Sequence, residues 1–152
     1  MRAKQVRGME GAKEEAGFSL IELLVVVAII GIIAAIATPG LKRARQHAHS
    51  GSATQSMRSI TTAEYAYEIR TKRYATMATL QAEGLIQSDL ASGDKAGYTF
   101  NLILGPDAKS FVLTATPKDE PGVLDHFYVN ESGVIRFNTG APADINSTPI
   151  PR

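Results

Sequence analysis

Glu22 is the one ionisable side chain in a run of apolar residues that starts at Phe18 and continues to Ala37. A carboxylate at the centre of a membrane-length helix costs about 2.5–3.5 kcal/mol on insertion scales, and less near the helix end. An acid so placed calls for a partner, and the chemistry it offers is ion pairing with a positive charge. Other reactive constellations are absent from the pattern. His47 and His49 are two apart on an expected helix and point away from each other, and His126 begins an expected strand, so the three make no metal site. There is no G-x-S-x-G, no phosphate loop and no Cys, which excludes a thiol nucleophile, a disulfide and a thiolate metal site. Asp89, Asp94, Asp119, Glu120 and Asp125 fall in expected loops without a D-x-D-x-D spacing and read as solvated charges. No catalytic residue, metal or cofactor is therefore expected, and the chain is read as a non-enzyme.

The elements that must position Glu22 follow from the periodicity. Roughly 20 residues of helix at about 1.5 Å each span about 30 Å, the thickness of the bilayer hydrocarbon. Residues 18–38 can therefore cross a membrane as one helix. A secretory signal peptide is the competing reading, since Ala35-Ile36-Ala37 offers a cleavage site; the length of the run, Glu22 within it and Pro39 beyond it weigh against. Gly31 and Pro39 both weaken helix, so residues 31–40 are the expected place for a kink or local melting. From residue 39 to 71 the pattern stays helical but turns amphipathic, with Ala53, Met57, Ile60, Ala63 and Tyr67 on one stripe; Gly51 is its weakest point. Lys42, Arg43, Arg45 and His47 form a basic cluster, read as a collar against anionic lipid head groups.

Residues 72–96 read as a connecting region with a short helical turn over Thr79–Glu83 ending at Gly84. Residues 97–138 change to a period of two. Tyr98, Phe100, Leu102 and Leu104 alternate with Thr99, Asn101 and Ile103, and after a turn at Gly105–Lys109 Phe111, Leu113 and Ala115 alternate with Val112, Thr114 and Thr116. Phe127 and Val129 mark a third strand, Asn130–Gly133 a turn, and Val134–Phe137 a fourth. Residues 139–152 carry Pro142, Pro149 and Pro151 without periodicity and read as a flexible tail. The fold class is α+β: one long helix, hydrophobic then amphipathic, packed on a C-terminal antiparallel sheet of about four strands. One compact domain accompanies the hydrophobic segment, and with no Cys it must hold together by its core alone. From Phe18 onward basic and acidic residues balance, so nucleic acid is not an expected partner.

Gly17-Phe18-Ser19-Leu20-Ile21-Glu22-Leu23-Leu24-Val25-Val26, continued by Gly31 and Pro39, closely resembles the processing site of type IV prepilins and related pseudopilins. The resemblance implies that residues 1–17 are a leader, that a prepilin peptidase cuts between Gly17 and Phe18, and that the new amine of Phe18 is methylated. Gly17 leaves the backbone accessible to a protease, and the amine at Phe18 would be largely charged at neutral pH. The resemblance also makes that amine, on a neighbouring subunit, the expected partner of Glu22 in filament assembly. It implies a pilin-like fold and a single-pass precursor in the inner membrane. It further implies an inner-membrane assembly platform and a filament of identical subunits. The filament would be an extracellular pilus, or periplasmic if the chain is a type II secretion pseudopilin. One departure is plain: Glu14-Glu15-Ala16 stands where many such leaders have Lys or Arg, with Arg2, Lys4, Arg7 and Lys13 further back. A pilus subunit is the leading reading, a pseudopilin the second, and a binding domain on an ordinary membrane anchor the reading from another class.

Overall fold

The helix expected from Phe18 to Thr71 is present as α1, Leu20–Thr71, in a computed structural model that describes residues 17–119 and 122–151. The expected leader therefore lies outside the described residues except for Gly17, as does Glu120 of the acidic loop. Helix α1 starts two residues later than expected. The Ser19 carbonyl accepts the first helical N–H, from Leu23 at 3.2 Å, which leaves Gly17 and Phe18 ahead of the helix. Pro39 lies inside α1. It has no N–H to give to the preceding turn, and in that turn the Thr38 hydroxyl donates to the Ala34 carbonyl at 2.6 Å.

The chain divides into two units between Gly40 and Leu41. In the first, every described residue is exposed, including the large apolar side chains from Leu20 to Ile36. The second holds the core. There α1 buries Ala53, Met57, Ile60 and Ala63, four of the five stripe residues, and Tyr67 packs against them half-buried.

Helix α1 stops at Thr71. Lys72 follows with φ 61°, in the left-handed region, and its N–H closes on the Glu68 carbonyl at 2.7 Å. Two short helices come next, α2 (Met77–Ala82) and α3 (Ser88–Ala91). The Thr76 hydroxyl accepts the Thr79 N–H and so caps α2. Six strands then form one antiparallel sheet in sequential order: β1 (Asp94–Lys95), β2 (Tyr98–Leu104), β3 (Phe111–Pro117), β4 (Asp125–Asn130), β5 (Arg136–Thr139) and β6 (Thr148–Pro149). Tyr98, Phe100, Phe111, Leu113, Ala115, Phe127 and Val129 are buried with the α1 stripe, and the alternation that marked β2 and β3 is the alternation of burial.

Three expectations are corrected. The sheet has six strands, because two-residue β1 and β6 extend its edges; segments that short carry no period to detect. The fourth strand lies two residues later than expected, at Arg136–Thr139, in a register that sets Phe137 opposite Phe127. The tail is tied down over part of its length. Thr148–Pro149 pairs with β5, the Ile150 N–H donates to the Ile135 carbonyl at 2.9 Å, and Ala143 is buried. Pro149 is compatible with this because β6 is an edge strand.

Candidate functional site

The residues singled out for processing lie at an accessible chain segment. Gly17 precedes the helix, and a Cβ placed on it would meet nothing within 4 Å. Phe18 is 78% exposed. Glu22 sits in the first turn of α1, exposed, where the positive end of the helix dipole favours an acid. Gly17, Phe18 and Glu22 are thus held within a few residues of one helix start. Gly31 and Pro39 lie further along the same helix, and Gly31 too has open space where a side chain would stand.

This helix segment is long and apolar enough to cross a membrane, and every described residue of its apolar part is exposed. Burying one Leu, Ile or Val side chain is worth about 1.5–3 kcal/mol. A stretch with Leu20, Ile21, Leu23, Leu24, Ile29 and Ile30 all exposed therefore needs lipid or other chains around it. Its amphipathic continuation begins with exposed Lys42, Arg43 and Arg45.

The other candidates are accounted for by structure. The His49 Nδ1 lies 2.8 Å from the Ala96 carbonyl, and its ring faces Gly97. His47 is exposed, whereas His126 is buried in β4. Asp89 pairs with Lys95 at 2.9 Å and Asp94 with Lys118 at 3.0 Å, and those hydrogen bonds hold both carboxyls below the usual range. Asp125 accepts from the Thr139 hydroxyl at 2.6 Å. Among the described residues no three His, Asp or Glu converge as metal ligands. Tyr67 lies under the Arg70 guanidinium, 5.9 Å from the ring centre, and Tyr74 stacks edge-on against Phe111 at 4.8 Å.

One buried acid was not anticipated. Glu64 is fully buried, and its Oε2 accepts the Ala75 N–H at 2.8 Å. Burial raises its carboxyl to about 7, and the Ala75 hydrogen bond only partly opposes that. The signal was present: residues 53, 57, 60, 64 and 67 follow alternating steps of four and three, so a Glu occupies a position of the apolar stripe.

Residues 13–38 match the family model of the prokaryotic N-terminal methylation motif. The chain is similar to the type IV wide pilus major component of Thermus thermophilus, 34% identical over 81% of this chain and 88% of that protein. It is also similar to the type IV major pilin protein of Myxococcus xanthus, 39% identical over 41% of this chain and 28% of that protein. A third relative is the type II secretion system core protein G of Escherichia coli, 26% identical over 69% of this chain and 75% of that protein. No solved structure matches the chain.

Proposed function

Since this chain belongs to the type IV pilin family, a family of structural proteins, we propose that its activity is assembly, directed by residues 17–22. It is a structural subunit of a pilus-type filament. In the proposed sequence of events the precursor sits in the inner membrane through residues 18–38, with membrane lipid around the apolar helix. Prepilin peptidase cleaves between Gly17 and Phe18, and the Phe18 amine is methylated. The inner-membrane assembly platform then moves the subunit into a filament of identical subunits.

The observation that carries this reading is the exposed helix start, with Gly17 and Phe18 accessible, Glu22 in the first turn, and an uncovered apolar helix behind them. The new positive charge at Phe18 would be met by Glu22 of a neighbouring subunit. Inside a helix bundle poor in water, an acid without its partner is costly, so pairing selects one axial stagger among subunits. Gly31 and Pro39 are the places where the bundled helix would bend or unwind.

An extracellular pilus is the favoured destination, because similarity to the Thermus thermophilus pilus component spans most of both chains. Similarity to the Escherichia coli secretion core protein supports a second reading, a periplasmic pseudopilin. Shearing the producing cells and reading the mature terminus by mass spectrometry separates them. A methylated Phe18 in the sheared fibres supports the pilus. The same terminus confined to membranes supports the pseudopilin. A terminus at Met1 or Thr38 overturns both.

A further inference from the structure

The buried Glu64 plays no part in processing or in the helix-start pairing, yet it is the most constrained acid among the described residues. It stands on the core side of α1, between Ile60 and Tyr67. Its Oε2 holds the Ala75 N–H at 2.8 Å, and its Oε1 is buried without a hydrogen-bond partner. Thr61, one turn back on α1, also has a buried hydroxyl without a partner. Among the described residues no second donor serves the carboxylate. An acceptor-only oxygen left dry and unpaired is far more costly as part of an ion than as part of a neutral acid.

The segment that Glu64 holds is under strain. It begins with Lys72 at φ 61°, a conformation unfavourable for a residue with a Cβ. Further ties are the Tyr74 N–H to the Ala108 carbonyl at 2.8 Å, the Tyr74 ring against Phe111, and the Thr71 hydroxyl bridging to Arg73. The segment itself carries Lys72 and Arg73, and the charged or ionisable groups that act on its Tyr74 phenol are carboxyls and one phenol. The Tyr74 phenol feels Glu64, Glu68 and Tyr65 from α1 and Glu131 from the turn after β4, and each pushes its pKa up together with burial. No Lys or Arg enters the balance at Glu64 itself.

We propose that Glu64 is a proton-controlled clip: its neutral carboxyl keeps residues 72–76 closed on α1, and its ionised carboxylate releases them. Ionisation places a charge in a dry site that supplies one N–H, and opening of the segment lets water reach it. Because burial lifts the carboxyl to about 7, the transition falls in the neutral range rather than in acid. The clip is independent of whether the filament is a pilus or a secretion assembly. It concerns how firmly the start of the α1–α2 connection is held, and hence how the segment leading into α2 responds to the pH outside the membrane.

The test uses the full chain in detergent micelles. Carbon-13 NMR of the Glu side-chain carboxyls gives the Glu64 midpoint directly, and amide exchange at residues 72–76 gives the open population after correction for base catalysis. The expected result is a Glu64 midpoint near 7 and an open population that rises about tenfold between pH 6 and pH 8. In Glu64→Gln, which keeps the acceptor for Ala75 but cannot ionise, the open population should stay low and flat over that range. A Glu64 midpoint near its ordinary 4.5 overturns the proposal, as does an equal rise in the Gln variant. If Glu64→Gln does not fold, the titration of the unmodified chain decides alone.

Discussion

The Tyr98 phenol donates to the Asp125 carbonyl at 2.9 Å, and the phenol oxygen also lies 3.1 Å from the Ser50 hydroxyl of α1, which ties helix to sheet. The ring is fully buried and packs against Phe127 at 5.7 Å between ring centres. One side chain on β2 thus links α1, β2 and the first residue of β4. Tyr98→Phe keeps the ring and removes the hydroxyl, leaving the Asp125 carbonyl and Ser50 to find other partners. A loss of about 1–2 kcal/mol is expected. Urea denaturation of the two proteins in the same detergent measures it, and an unchanged midpoint would mean that water replaces the phenol at no cost.

A pairing role for Glu22 predicts a specific failure. In Glu22→Ala the leader should be removed and Phe18 methylated as before, because Gly17 and Phe18 are untouched. Assembly should then fall sharply. Breaking one side of a buried ion pair costs about 3–5 kcal/mol, which is roughly a hundredfold or more in the assembly equilibrium. Sheared fibres and membrane fractions, quantified side by side, report it. Fibre yields equal to those of the parent chain would assign Glu22 to the membrane interface instead.

Lys72 offers a change in the opposite direction. Its φ of 61° suits glycine, and Lys72→Gly relieves the Cβ strain at the end of α1 while the Lys72 N–H bond to Glu68 is retained. A gain of roughly 0.5–1 kcal/mol is expected once the extra freedom of glycine in the unfolded chain is set against it. Thermal or urea unfolding shows the sign, and a loss would mean that the lysine side chain contributes contacts outweighing the strain.

The helix and the central strands were legible because their periods are long. A largely apolar run of twenty residues from Phe18, then a stripe at Ala53, Met57 and Ile60, leaves few alternatives to one helix with two environments. Tyr98 to Leu104 and Phe111 to Ala115 alternate, broken by Ile103 and Val112, and each buried position in them is an expected one. The edge strands were not legible, since Asp94–Lys95 and Thr148–Pro149 are two-residue segments whose pairing depends on a neighbouring strand rather than on their own pattern. The tail was misjudged for a related reason: its prolines argued against strand, yet Pro149 needs no N–H at a sheet edge, and Ile150 gives the segment an apolar anchor. At the helix start, Glu22 stood out as an acid in an apolar run, and Gly17 and Phe18 through the resemblance to a prepilin processing site. Glu64 did not, because apolar stripes are traced through apolar residues, and a carboxyl at the same phase is passed over.

Glu64 also sets the pH dependence of global stability, with a sign opposite to that of most acids. Its folded carboxyl is raised to about 7 from an unfolded value of 4.5, so between those limits the folded state binds the extra proton. The associated stability is fully present below about pH 4.5 and is lost as pH rises through 7, about 3 kcal/mol in all. Asp89, Asp94 and Asp144 are held below their usual range by neighbouring donors, and their contribution is lost only as pH falls through the acid region. The two effects occupy separate windows. Denaturation midpoints measured at steps from pH 5 to pH 8 should therefore decline up to about pH 7 and level off above it in the parent chain. In Glu64→Gln the decline should vanish, because no group remains at that site to take up a proton on folding and release it on unfolding. A parent chain whose stability rises over this range would show that Glu64 is ionised in the folded state and held by partners stronger than the Ala75 amide.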